Sequence, residues 1–93
     1  MTDMQAKPKR HELLIINDEE ETPSILNPMS GQVFVTNRVG KRVMELADGG
    51  HTVEAIVEDI SGRFKGAPLA VILQDVGTFL QEGTDKGLVS WVE

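Results

Sequence analysis

The run PSILNPMSGQVFVTN, residues 23–37, decides the fold. Its two ends are rich in β-branched and large apolar side chains, and the NPMSG between them is built of turn formers, so strands are predicted over residues 23–27 and 32–36. Along the second strand Val33 and Val35 share one face, while Gln32, Phe34 and Thr36 share the other. Both faces are therefore partly apolar, and Phe34 needs cover of its own. Upstream, HELLII at residues 11–16 has the same character and is separated by the polar NDEEET, whose acidic residues suit a solvated hairpin tip. Two short connections favour an antiparallel meander of three strands.

Immediately downstream the period changes from two to between three and four. Asn37 is placed to cap a helix over residues 38–47 through Val39, Val43, Met44, Leu46 and Ala47, which the glycine pair at 49 and 50 ends. In DGGHTVEAIVEDISGRF, residues 48–64, the residues Val53, Ile56, Val57, Ile60 and Phe64 fall on one helical face. Thr52 reads as its N-cap, and Glu54 sets negative charge near the positive end of the helix dipole. Pro68 opens a third helix that Gly87 closes. In it Leu69, Ile72, Val76 and Leu80 are expected in the core, whereas Val71, Leu73 and Phe79 exceed what one buried face needs. Gly77 and Gly83 interrupt this helix, either as points of close backbone approach or as tolerated drift. LVSWV, residues 88–92, is read as an extended tail.

These elements define an α+β chain, winged helix-turn-helix-like, with a three-stranded antiparallel sheet followed by three helices. Residues 11–93 make one domain and residues 1–10 a flexible tail carrying the basic cluster Lys7, Lys9 and Arg10. Nine basic against fifteen acidic residues give a formal net charge of −6, which opposes binding to phosphate backbones or anionic lipid. No apolar run approaches the roughly 18 residues that span a bilayer, and the start of the chain has no signal-peptide core, so a cytoplasmic protein is expected. Cysteine is absent, which removes disulfides, thiolate zinc sites and cysteine nucleophiles.

Candidate chemistry is sparse. His11 and His51 have no second ligand at metal-binding spacing, and the acidic run at residues 18–21 lacks the alternating ligands and central glycine of a calcium loop. Glu54, Glu58 and Asp59 fall on the outer side of the second helix. No nucleophile motif, phosphate loop or dinucleotide fingerprint is present, so neither enzyme activity, a metal site nor a cofactor is expected. A winged-helix DNA-binding regulator is the alternative that the element order suggests, but the third helix sets one lysine, Lys86, against Asp75, Glu82 and Asp85. A dimerisation module using the free sheet edge is a further alternative.

LNPMSGQVFVTNRVG, LADGGHTVEAIVEDISGRF and ILQDVGTFLQEGTDKGLV, in this order, resemble the PqqD-like family of peptide-binding modules, also called RiPP recognition elements. The likeness covers about residues 11–90. It is carried by Asp48, Gly49, Thr52 and Val53 at the second helix and by Asp75, Val76, Phe79, Leu80, Gly87 and Leu88 at the third. Ala55 departs from it, standing where many members carry a capping glutamate. The resemblance implies a domain that binds the leader segment of a ribosomally made precursor peptide and presents it to a modifying enzyme, often a radical S-adenosylmethionine protein. It also implies a site: the leader would lie between the third strand, at Gln32, Val33, Phe34, Val35 and Thr36, and a wall of Val71, Gln74, Asp75, Thr78 and Phe79. Strand addition to a free sheet edge is the binding mode these elements offer.

Overall fold

The computed structural model of the chain describes residues 3–17 and 22–92. In chain order the elements are β1 (Lys7–Arg10), β2 (Ile15–Asn17), β3 (Ser24–Asn27), β4 (Gln32–Val35), α1 (Arg38–Leu46), α2 (Val53–Arg63), α3 (Leu69–Asp85) and β5 (Val89–Val92). β2, β3 and β4 form the predicted antiparallel meander, and the three helices follow it. The expected hairpin tip at residues 18–21 lies outside the described residues.

The meander has two faces of different fate. Its register places Ile16, Ile25 and Phe34 in one cross-strand row and Ile15, Leu26 and Val33 in the other. The first row faces the helices: Ile25 is 1 % exposed, and Ile16 and Phe34 pack against the core. The second row looks outward, with Ile15 and Val33 both exposed. The turn joining β3 to β4 closes with Asn27 accepting from the amides of Gly31 through its carbonyl and of Met29 through its side chain. Only the last part of the first expected strand pairs. Residues 11–14 instead make a turn in which the Leu14 amide donates to the His11 carbonyl, because Leu14 turns into the core.

Both predicted caps form. Asn37 accepts from the Gly40 amide at 2.8 Å, and Thr52 Oγ1 accepts from the Ala55 amide at 3.1 Å. The carboxylate of Asp48 accepts from the Gly50 amide and lies 2.9 Å from His51 Nδ1; these contacts, the histidine's first, lower its pKa. The DGGH segment is thus a helix entry held by its own hydrogen bonds. At the other end of α3, Gly87 adopts a left-handed φ of 76°, the Leu88 amide donates to the Gly83 carbonyl, and the Gly87 amide donates to that of Thr84. This Schellman arrangement turns the chain back so that β5 runs along α3, and a Cβ at Gly83 would sit 3.0 Å from the Val89 side chain. Gly83 therefore marks a close approach.

A solvated tail is expected over residues 1–10 from their polar, basic composition, but the described part, residues 3–10, packs against the domain. β1 pairs antiparallel with β5, from Lys7 opposite Val92 to Arg10 opposite Val89, so the end of LVSWV is its partner strand. Pro8 is among the most fully buried side chains of the domain. The carbonyls of Met4 and Ala6 accept from the amides of Glu54 and Val53, satisfying first-turn donors of α2 that its cap leaves open. Arg10 donates through one guanidinium nitrogen to the carbonyls of Met44 at 2.6 Å and Glu45 at 3.3 Å, near the C-terminus of α1. One cation of the basic cluster thus serves a helix end.

The core lies between the inner sheet face and the three helices: Met44, Ile56, Ile60, Val76 and Leu80 are fully buried. Leu69, expected among them, is 56 % exposed, because it is the first residue of α3 and precedes the turns that pack. Asp59 also departs from its expected outer position. It accepts from Arg42 at 2.8 and 3.0 Å in a two-pronged contact and from Arg63 at 2.9 Å, which ties α1 to α2. The hydrogen bond from Arg42 is the main cause holding the Asp59 carboxyl below its ordinary range.

Because its pKa is depressed on folding, Asp59 contributes stability that is present above the unfolded value of about 3.9 and is lost as pH falls through the folded value. Asp59→Asn is expected to lower stability at neutral pH by about 1 kcal/mol and to remove part of the loss in acid, both read by denaturant unfolding from pH 7 to pH 3.

Candidate functional site

β4 is the last strand of its sheet, paired with β3 on one side and with nothing on the other among the described residues. Which of its main-chain groups are vacant follows from the register. Thr36 lies opposite Pro23 and donates its amide to the Pro23 carbonyl at 2.8 Å, so it belongs to a hydrogen-bonded pair. Alternation then turns Phe34 and Gln32 toward β3 as well, and turns the N–H and C=O groups of Val33 and Val35 outward. Two donors and two acceptors stand ready for another strand.

Beside this edge runs α3, and between them opens a cleft of about 560 Å³. Phe34, Val35 and Thr36 supply the strand side. Gln74, Asp75, Thr78 and Phe79 supply the helix side, continued by Glu82 and Lys86. Ile25, Met44 and Leu88, all buried, contribute to its floor. Exposed Val33 and Val35 continue the apolar surface onto the outer rim. A long apolar floor with charged residues along one wall suits an extended chain carrying alternate apolar side chains.

Of the ten residues singled out from the sequence, Phe34, Val35, Thr36, Gln74, Asp75, Thr78 and Phe79 line this cleft together. Gln32 and Val33 lie on the same strand just outside it, Val33 with its side chain on the outer face. Val71 does not line the cleft; it is exposed one turn before Asp75 on α3. Phe79 is half-buried against the core and the cleft at once, and Leu73 is exposed.

Sequence reasoning missed Val39, Gly40, Glu82 and Lys86. Gly40 carried a readable signal, since a glycine in the first turns of a helix costs about 1 kcal/mol against alanine unless something needs the space. A Cβ there would overlap Thr36 Oγ1 and sit 2.8 Å from the Phe79 ring. Gly40 thus lets α1 approach the end of β4 and the aromatic wall of α3 together. Gly40→Ala is expected to reverse the usual helix gain and destabilise the domain by about 1–3 kcal/mol, seen as a lower thermal midpoint.

Other candidate chemistry gathers no site. His11 lies in an exposed turn, where its Nδ1 accepts from the Leu13 amide, and His51 is engaged by Asp48. Among the described residues no cluster of three His, Cys, Asp or Glu side chains is placed to hold a metal ion. None of their helices is long and apolar enough to cross a membrane.

The class this defines is that of winged-helix-like α+β domains, here with a sheet edge that is unpaired among the described residues and faces a helix across an apolar cleft. The chain belongs to the PqqD family: the model described as Coenzyme PQQ synthesis protein D (PqqD) matches residues 24–89, well over half its length. Among solved structures it is similar to TbiB1, determined in complex with the TbiA(beta) leader peptide. The TM-score is 0.72 at 22 % identity, over 88 % of this chain and 94 % of that one, a likeness of fold. No curated protein sequence matches the chain significantly.

Proposed function

We propose that this domain binds the leader segment of a ribosomally made precursor peptide as an added β-strand and presents it to a modifying enzyme. The observation that carries the reading is the outward-facing main chain of Val33 and Val35 on a sheet edge that faces α3 across an apolar cleft. Membership of the PqqD family and a fold shared with a protein solved on a leader peptide support it. The affinity comes from main-chain hydrogen bonds along β4 and the register from side chains entering the cleft every second residue. In this reading the domain catalyses nothing itself and needs no cofactor; a cytoplasmic enzyme partner of the radical S-adenosylmethionine kind performs the modification. The charges beside the cleft agree with a peptide ligand rather than a nucleic acid, since Asp75 and Glu82 would face any phosphate backbone laid there.

Titration of the labelled domain with a precursor peptide encoded beside its gene is expected to shift the amides of residues 32–36 and of Gln74, Thr78 and Phe79. Shifts confined to β1, β5 or α2 would reject the site.

A further inference from the structure

We propose that Lys86 is a displaceable cover over Phe34 and thereby sets which side chain the cleft accepts at its centre; the inference rests on the strand-addition reading above. The Lys86 ammonium lies 5.0 Å from the centroid of the Phe34 ring, within reach of a cation–π contact. Both residues, with Glu82, line the cleft. A guest strand that pairs with the free groups of Val33 and Val35 sets one residue opposite Phe34, and its side chain points to the same side of the sheet as the Phe34 ring, into the cleft. That side chain and the ammonium compete for one ring.

The chain itself provides a second place for the ammonium. Glu82 precedes Lys86 by four residues, one helical turn, in the order that favours an ion pair, and no ion pair or hydrogen bond engages its side chain among the described residues. A guest side chain that takes the ring therefore need not bring a counter-charge for the lysine it displaces. What it must bring is a better contact with Phe34. A carboxylate would meet the negative face of the ring with Glu82 and Asp75 nearby. A lysine would exchange one ammonium for another and leave two cations to share Glu82. A small side chain would leave Lys86 where it is. A large aliphatic or aromatic side chain gains the ring of Phe34, with Phe79 on the same cleft wall, and is the class the geometry selects.

The probe is a phage-displayed library of random nine-residue peptides panned on the full chain, with recovered peptides synthesised and titrated against wild type, Lys86→Gln and Val35→Pro. The recovered peptides should share one large aliphatic or aromatic position. Lys86→Gln should bind them about two- to five-fold more tightly, the value of an exposed cation–π contact that no longer has to be broken. In the free chain the ε-methylene protons of Lys86 should be shifted upfield by the ring, and should lose that shift on peptide binding and in Phe34→Leu. Equal or weaker binding by Lys86→Gln, or enrichment of a carboxylate at the shared position, overturns the cover while peptides that fail on Val35→Pro still uphold strand addition. Peptides that bind Val35→Pro as well as wild type overturn strand addition itself. Unshifted Lys86 methylene protons in the free chain overturn the cover whatever the peptides do.

Discussion

A chain that begins at His11 is expected to lose much of its stability, with the thermal midpoint falling by at least about 12 °C or the cooperative transition vanishing. The deletion removes β1 from β5, takes the buried side chain of Pro8 out of the core and leaves the Val53 and Glu54 amides without the Ala6 and Met4 carbonyls. It also strips Arg10 from the end of α1. Burial of one side chain and several hydrogen bonds together amount to roughly 3–5 kcal/mol, against a total on the order of 5–10 kcal/mol for a domain of this size. At about 4–8 °C for each kcal/mol, the shift lies far outside measurement error. A midpoint within a few degrees of the full chain would mean that residues 1–10 are the solvated tail their composition suggests.

Val35→Pro is expected to weaken peptide binding by about ten- to hundred-fold while leaving the thermal midpoint nearly unchanged. The Val35 amide faces away from β3, so a proline there costs the sheet no ladder bond, and edge strands accept proline where the N–H looks outward. The residue before it, Phe34, is already extended, as a proline requires. The guest strand, by contrast, loses a donor at the centre of its contact and leaves one of its own carbonyls unpaired, which costs about 1–3 kcal/mol. Phe34→Pro supplies the contrast. Its amide belongs to the pair with Ile25, so the same change one residue earlier should unfold the meander. Equal loss of stability in both variants would contradict this register.

The parts of this fold that were legible in the sequence are those that local physics fixes. The β3–β4 hairpin could be read because Ile25, Val33, Phe34 and Val35 flank a turn of Asn27, Pro28, Ser30 and Gly31, all within a few residues. Asn37 and Thr52 could be read as caps because their bonds to Gly40 and Ala55 reach only three residues ahead. β1 could not. Lys7, Lys9 and Arg10 signal a solvated segment, and the pairing that orders them lies some eighty residues away, with Val89–Val92, beyond any local pattern. The same holds in part for the site. Alternation identified the strand wall, and the apolar excess on α3 pointed to Phe79, but exposure did not follow apolarity evenly. Leu69, Val71 and Leu73 face solvent because α3 touches the core along the Ile72, Val76 and Leu80 stripe alone over its first turns. Lys86 and Glu82 were invisible as cleft residues because charge on a helix ordinarily means a solvated face, and only the third dimension sets them beside Phe34.

Hydrogen exchange at single amides of β4 tests the strand-addition account most directly. In the free domain the amides of Phe34 and Thr36 should be protected and those of Val33 and Val35 should exchange freely; a bound leader peptide should protect Val33 and Val35 and leave the other two as they were. Protection of Val33 and Val35 before any peptide is added, or a bound peptide that leaves both exchanging, would contradict it.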